Sequence, residues 1–164
     1  MTDKREAILL RLLTILDDVP QILGYSAHTV FRNRGELKGD KRPSLVLLDG
    51  TEYVKTSLEN RGRVFMSRTI MTMQPQIFVL LRERNLPSNA GVGTELNAFH
   101  SAITKAIASD STLAALCGPN GQVSLRRVET DMQTGSTLQG QLRMDFAVDY
   151  VLDPDELTVV PVTT

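Results

Sequence analysis

From Gln141 to Leu152 the chain alternates: Leu142, Met144, Phe146, Val148, Tyr150 and Leu152 are apolar, and Arg143, Asp145, Ala147 and Asp149 stand between them. Side chains of a β-strand point alternately to opposite faces. The pattern therefore predicts a strand with one face on a core and the other largely in water. At about 3.3 Å per residue the stretch reaches roughly 40 Å, well beyond an average strand of about five or six residues.

The other elements follow from the same reading. Asp3 and Glu6 have the spacing of an N-cap with a reciprocal acidic partner, and Ile8, Leu12, Ile15, Leu16 and Val19 recur at helical steps until Pro20 predicts the end of the helix. Thr29 to Arg32 reads as a short strand, residues 33–42 as a polar loop, and Ser44 to Leu48 as a strand buried on both faces that stops at the turn dipeptide Asp49-Gly50. Residues 51–63 show no clean period and read as a long connection or extended hairpin arm. Strand character returns over 63–73 and 76–81, interrupted at Pro75, which has no N–H for a sheet ladder. Thr94 is the expected N-cap of a helix to about Ser109 with Leu96, Phe99, Ile103, Ala106 and Ile107 on one face. Asp110 caps a short helical piece, Leu113 to Leu116, that Gly118 ends. Val123 to Val128 predicts a strand joined by the turn-rich residues 131–140 to the long one, as an antiparallel hairpin. The sum is a single α+β domain over residues 1–154, with a mostly antiparallel sheet of five or six strands, two main helices packed on it, and a C-terminal tail over 155–164.

Composition narrows the function classes. A chain of 164 residues with 41% hydrophobic residues suits one core. A net charge of -1 and a pI near 6.1 argue against a protein whose main task is gripping nucleic acid, and 5% aromatic residues leave little platform for stacking bases. Cys117 is the only cysteine, which excludes an intramolecular disulfide and a cysteine-rich zinc site and suits a reducing compartment. The amphipathic N-terminal stretch and the absence of any run near eighteen apolar residues predict neither a signal peptide nor a membrane span.

Motifs that carry chemistry are sparse. His28 and His100 stand in no metal-ligand spacing, and Cys117, in Leu-Ala-Ala-Leu-Cys-Gly, reads as a small buried hydrophobe before it reads as a nucleophile. Gly118-Pro-Asn-Gly121 lacks the Lys-Ser pair of a phosphate loop and reads as a turn. Gly91-Val-Gly93 before a capped helix suits a plain connection as well as an anion site. The sequence predicts no catalytic, cofactor or metal residues.

Charge is more informative. Arg32, Arg34, Lys38, Lys41 and Arg42 cluster in one stretch, Arg61 and Arg63 begin a second with Arg68, Arg82 and Arg84, and Asp145, Asp149, Asp153, Asp155 and Glu156 form an acidic run. Separate basic and acidic patches on a near-neutral chain suit a head-to-tail contact between copies, in which Arg32, Arg34, Lys38, Lys41, Arg42, Arg61, Arg63, Asp149, Asp153 and Asp155 are candidate interface residues. A solvated surface, or pairing within the chain, accounts for the same charges. The long strand also outruns the helix expected to cover it by more than about 10 Å. A neighbouring subunit is a natural cover, and the strand's acidic run-out makes it the candidate edge between subunits.

The order of elements resembles that of the tail terminator proteins of long-tailed bacteriophages. The resemblance rests on the capped first helix (Asp3-Lys-Arg-Glu-Ala-Ile-Leu-Leu-Arg-Leu-Leu), Pro43-Ser-Leu-Val-Leu-Leu-Asp-Gly50, Met73-Gln-Pro-Gln-Ile-Phe-Val-Leu80, the run from Thr94 to Asp110, and Leu138-Gln-Gly-Gln-Leu-Arg-Met-Asp-Phe-Ala-Val-Asp-Tyr150. It implies a non-enzymatic virion protein with an α/β fold that forms a hexameric ring around the DNA channel. Its implied contacts are tail tube protein on one side and a head-completion or connector protein on the other, with DNA passing through the lumen without sequence recognition. The resemblance transfers no cofactor and no residue-level contact. Competing readings are another neck component, a small-ligand enzyme or binding domain, and a nucleic-acid-binding regulator using the arginines between 61 and 84.

Overall fold

A computed structural model describes residues 3–34, 43–57, 68–83, 86, 91–135 and 138–154. The elements run α1 (Lys4–Ile22), β1 (Thr29–Arg32), β2 (Ser44–Ser57), β3 (Thr69–Arg82), α2 (Val92–Ala108), α3 (Ser111–Cys117), β4 (Gln122–Gln133) and β5 (Gln139–Leu152). The strands form one sheet in the order β1-β2-β3-β5-β4, antiparallel at every junction except β1 with β2. This is the expected α+β class, with the two main helices anticipated and a third, short one where a helical piece over Leu113 to Leu116 was expected.

One apolar core joins the helices to one face of the sheet. Ile8, Leu12 and Leu16 of α1, Leu96, Phe99 and Ile103 of α2, and Leu113 of α3 pack with Leu45, Leu47, Met73, Ile77, Val79, Leu142, Met144, Val148 and Tyr150. The strand residues in that core all sit at alternate positions, so the described helices lie on the same face. At Gly140 a Cβ would come within 2.5 Å of the Val92 side chain and 2.7 Å of Leu96, which shows how closely α2 lies on β5. No helix of the described residues is long and apolar enough to cross a membrane.

Several local expectations are revised. Pro20 does not end α1, which continues to Ile22. In the last turn its missing N–H costs a single ladder bond, the ring is buried in the core, and its carbonyl accepts from the Tyr25 N–H at 3.0 Å. Glu6 does not serve as a reciprocal cap, because its carboxylate bonds Arg32 while Asp3 alone accepts from the Arg5 N–H. Helix α2 begins at Val92 with Gly91 as N-cap, three residues before the expected Thr94 cap, and Val92 is buried as part of its apolar face. The long strand is interior, between β3 and β5's hairpin partner β4, rather than an edge. Its apolar positions from Leu142 to Tyr150 are buried within the chain, since three helices together supply the cover expected of a neighbour.

Asp49-Gly50 and Pro75 are also used differently. Strand β2 runs straight through Asp49-Gly50 and β3 through Pro75. Leu48 pairs with Gln76 and Thr51 with Gln74, so one extra residue on β2 bulges out opposite Pro75. The proline's missing donor falls where the ladder is already broken. Gly50 takes φ 71°, and a Cβ there would lie 1.8 Å from the Gln74 carbonyl oxygen. A left-handed glycine serves a bulge as well as a turn. A second bulge, between Leu125 and Arg127 of β4, lies in line with the first across the sheet. Replacing Gly50 by Ala is therefore expected to destabilise the protein by about 2 kcal/mol or more, measured by urea unfolding. Ala at Gly24, which has φ 89° but open space around it, is expected to cost less.

Candidate functional site

The densest polar cluster forms where the N-terminal end of α1 meets β1 and β2, with Arg32 at its centre. Its Nε and Nη2 donate to the two carboxylate oxygens of Asp49 at 2.7 and 2.8 Å, and its Nη1 and Nη2 donate to those of Glu6 at 2.7 and 2.9 Å. A planar guanidinium matches two carboxylates in this way, and one side chain thus clamps helix, short strand and long strand together. Arg5 extends the cluster, 4.0 Å from Asp49 and 3.4 Å from Glu52, and Glu52 accepts the hydroxyl hydrogen of Tyr150. The Arg32 bonds hold the Glu6 and Asp49 carboxyls below their ordinary values against the opposing effect of burial. Burial, then the bond to Glu52, pushes the Tyr150 phenol up.

The acidic candidates also find partners inside the chain. Asp149 is 3% exposed and accepts from the Thr72 hydroxyl at 2.6 Å and from the Lys55 ammonium. Burial pushes its carboxyl up, but the Lys55 and Thr72 bonds outweigh it and leave the group below its ordinary value. Asp153 pairs with Arg68 at 3.1 Å, and Asp145 takes two bonds from Arg143 at 2.9 and 3.0 Å. Arg34 is exposed, its guanidinium 4.4 Å above the Phe31 ring. Lys38, Lys41, Arg42, Arg61, Arg63 and Asp155 lie outside the described residues, as does most of the loop expected over 33–42. Residues 51–57, expected within a long connection or extended hairpin arm, belong to β2 and pair antiparallel with β3.

Other partnerships carried no sequence signal. Arg11 of α1 bonds Asp110, the α3 cap, at 3.0 and 2.5 Å, while Asp110 also accepts from the Leu113 N–H. Tyr25 bonds Glu95 at 3.0 Å, and His28 lies 2.8 Å from Asp17. The cap role of Asp110 was legible locally. Its arginine is 99 residues away.

Cys117 is buried, and burial pushes its thiol up to about 11, away from nucleophilic behaviour at neutral pH. Residues 118–121 form a turn closed by the Gly121 N–H on the Gly118 carbonyl at 3.0 Å. Among the described residues no group of three His, Cys, Asp or Glu is placed to hold a metal. The aligned bulges leave an open depression of about 430 Å³ on the sheet face away from the helices, lined by Thr51, Gln74, Gln76, Arg126, Arg127 and Asp145. Arg127 and Asp145 in it are already paired, with Glu129 and Arg143.

Replacing Arg32 by Met strands two partly buried carboxylates and is expected to lower stability by about 2 kcal/mol, read from urea unfolding. The same change at Arg34 is expected to stay within about 0.5 kcal/mol. The pH dependence has a definite sign. Glu6 and Asp49 have folded-state values below their unfolded ones, so their contribution is complete above the unfolded values and is lost as pH falls through the folded ones. Stability is expected to drop below about pH 4, and the Arg32→Met protein to lose less over that range because the paired carboxylates no longer favour the charged form.

No protein-family model matches the chain, and no curated protein matches it.

Proposed function

We propose that the protein is a structural component of a long-tailed bacteriophage, a tail terminator that closes the finished tail tube as a ring and presents the joining face to the head. In this reading copies associate head to tail as a hexamer around the DNA channel, tail tube protein binds one side, and a head-completion or connector protein binds the other. DNA passes through the lumen without sequence recognition. No covalent bond is made or broken, and the protein acts from the neck of the virion after assembly in the host cytoplasm.

The observation that carries the reading is the one-sided sheet. Three helices dress one face, strands of up to 14 residues extend to about 46 Å, and the opposite face exposes Thr51, Tyr53 and Gln74 while Val46, Thr72, Ala147, Asp149 and Val151 on it are buried. A sheet dressed on one face and without a strand partner along parts of its edges suits a ring subunit, because a neighbouring copy can continue it. Arg32, a candidate interface residue, instead commits its donors to two carboxylates that tie elements of the fold together, so the contact between copies does not rest on it.

Mixing the purified protein with tail tubes and, separately, with head connectors tests the proposal by co-sedimentation and negative-stain imaging. The expected result is ring-shaped density at one end of each tube. Binding to connectors with bare tube ends would move the assignment to another neck component, and binding to neither would overturn it.

A further inference from the structure

Two sheet edges have no strand partner among the described residues. Strand β1 covers β2 only from Ser44 to Leu47, leaving β2 open from Thr51 onwards, and β4 is paired with β5 on one side alone along Gln122–Gln133. Open edges of this length present rows of unpaired backbone donors and acceptors, and natural proteins ordinarily blunt them with proline, short strands or inward-pointing charge. Neither stretch contains proline; each carries one bulge, at Val54/Thr56 and at Leu125/Arg127, and charged side chains on either side of its apolar ones.

Of the six large apolar side chains left exposed among the described residues, four lie on these two edges: Tyr53 at 50% and Val54 at 55% on β2, Val128 at 40% and Met132 at 41% on β4. Val54 aligns through Met71 with Tyr150, and Val128 aligns with Met144. Both therefore project toward the helix-covered face, at heights six residues, or about 20 Å, apart along β5. Direction is compatible as well. Three antiparallel junctions separate β2 from β4, so the two edges run in opposite senses. A second copy, carried round an axis inclined to the strands so that it is staggered by about 20 Å, presents its β2 edge antiparallel to the β4 edge of the first, with its helices on the same side and Val54 level with Val128.

We infer that the β4 edge of one copy pairs with the open β2 edge of the next, continuing the sheet from subunit to subunit. The contact is heterologous, made by two different surfaces, and Val54 meets the Val128–Met132 strip within it. This inference rests on the self-association in the proposed function and not on the tail assignment.

Val54→Lys blocks one edge, and Val128→Lys or Met132→Lys blocks the other, each at a side chain exposed enough for lysine to reach solvent. Circular dichroism checks that each variant keeps its fold. Sedimentation velocity is expected to show that wild type assembles, that each variant alone is monomeric, and that an equimolar mixture of Val54→Lys with Val128→Lys forms dimers and nothing larger, because one intact edge of each kind remains. Full assembly by the variants would overturn this pairing and leave ring formation standing. Dimers of Val54→Lys alone would overturn it in favour of β4 pairing with itself. A wild-type chain that stays monomeric at every concentration would overturn both this inference and the assembly reading.

Discussion

Tyr150 stands near the end of β5, its ring buried under the helix layer and its hydroxyl bonded to Glu52, and it marks how far that layer must reach. A strand of 14 residues with an apolar side chain at nearly every second position has to be covered along its length. One helix is too short: 17 residues of α2 rise about 26 Å. The chain meets the demand by laying α1, α2 and α3 side by side on one face and by placing β5 between β3 and β4. The cost of an uncovered strand in apolar surface is large, at about 25 cal/mol per Å². That single requirement accounts for the two-layer architecture and for the interior position of the strand.

Covering one face leaves the charges to hold the layers in register. Arg32 joins α1 to β1 and β2, Arg11 ties α1 to the cap of α3, and Lys55 reaches across β3 to Asp149. These pairs fix which helix end meets which strand. They also neutralise within one molecule several charges that stand apart as patches in the sequence. Among the described residues, the edges of β2 and β4 without a strand partner, with the apolar and charged side chains that stand on them, remain for a neighbour.

Much of the fold was legible because its signals are local. Alternation announced β5, helical spacing announced α1 and α2, Asp110 and Gly118 bracketed α3, and the turn-rich stretch before β5 announced a hairpin. The misreadings came from signals with two structural uses. Asp49-Gly50 supplies a positive φ to a bulge as readily as to a turn, Pro75 fits a strand once a bulge faces it, and Pro20 is tolerated in a last turn whose other side is core. The candidate charges were harder still. Nothing near Arg32 in sequence identifies Glu6 and Asp49 as its partners, because they are 26 and 17 residues away. Only the folded chain brings the three together.

The proposed assembly of identical copies is tested most directly by the mass of the native particle. Native mass spectrometry of the purified protein is predicted to show a closed hexamer of 18.1 kDa chains. A single species at the mass of one chain, unchanged as concentration rises, would contradict it.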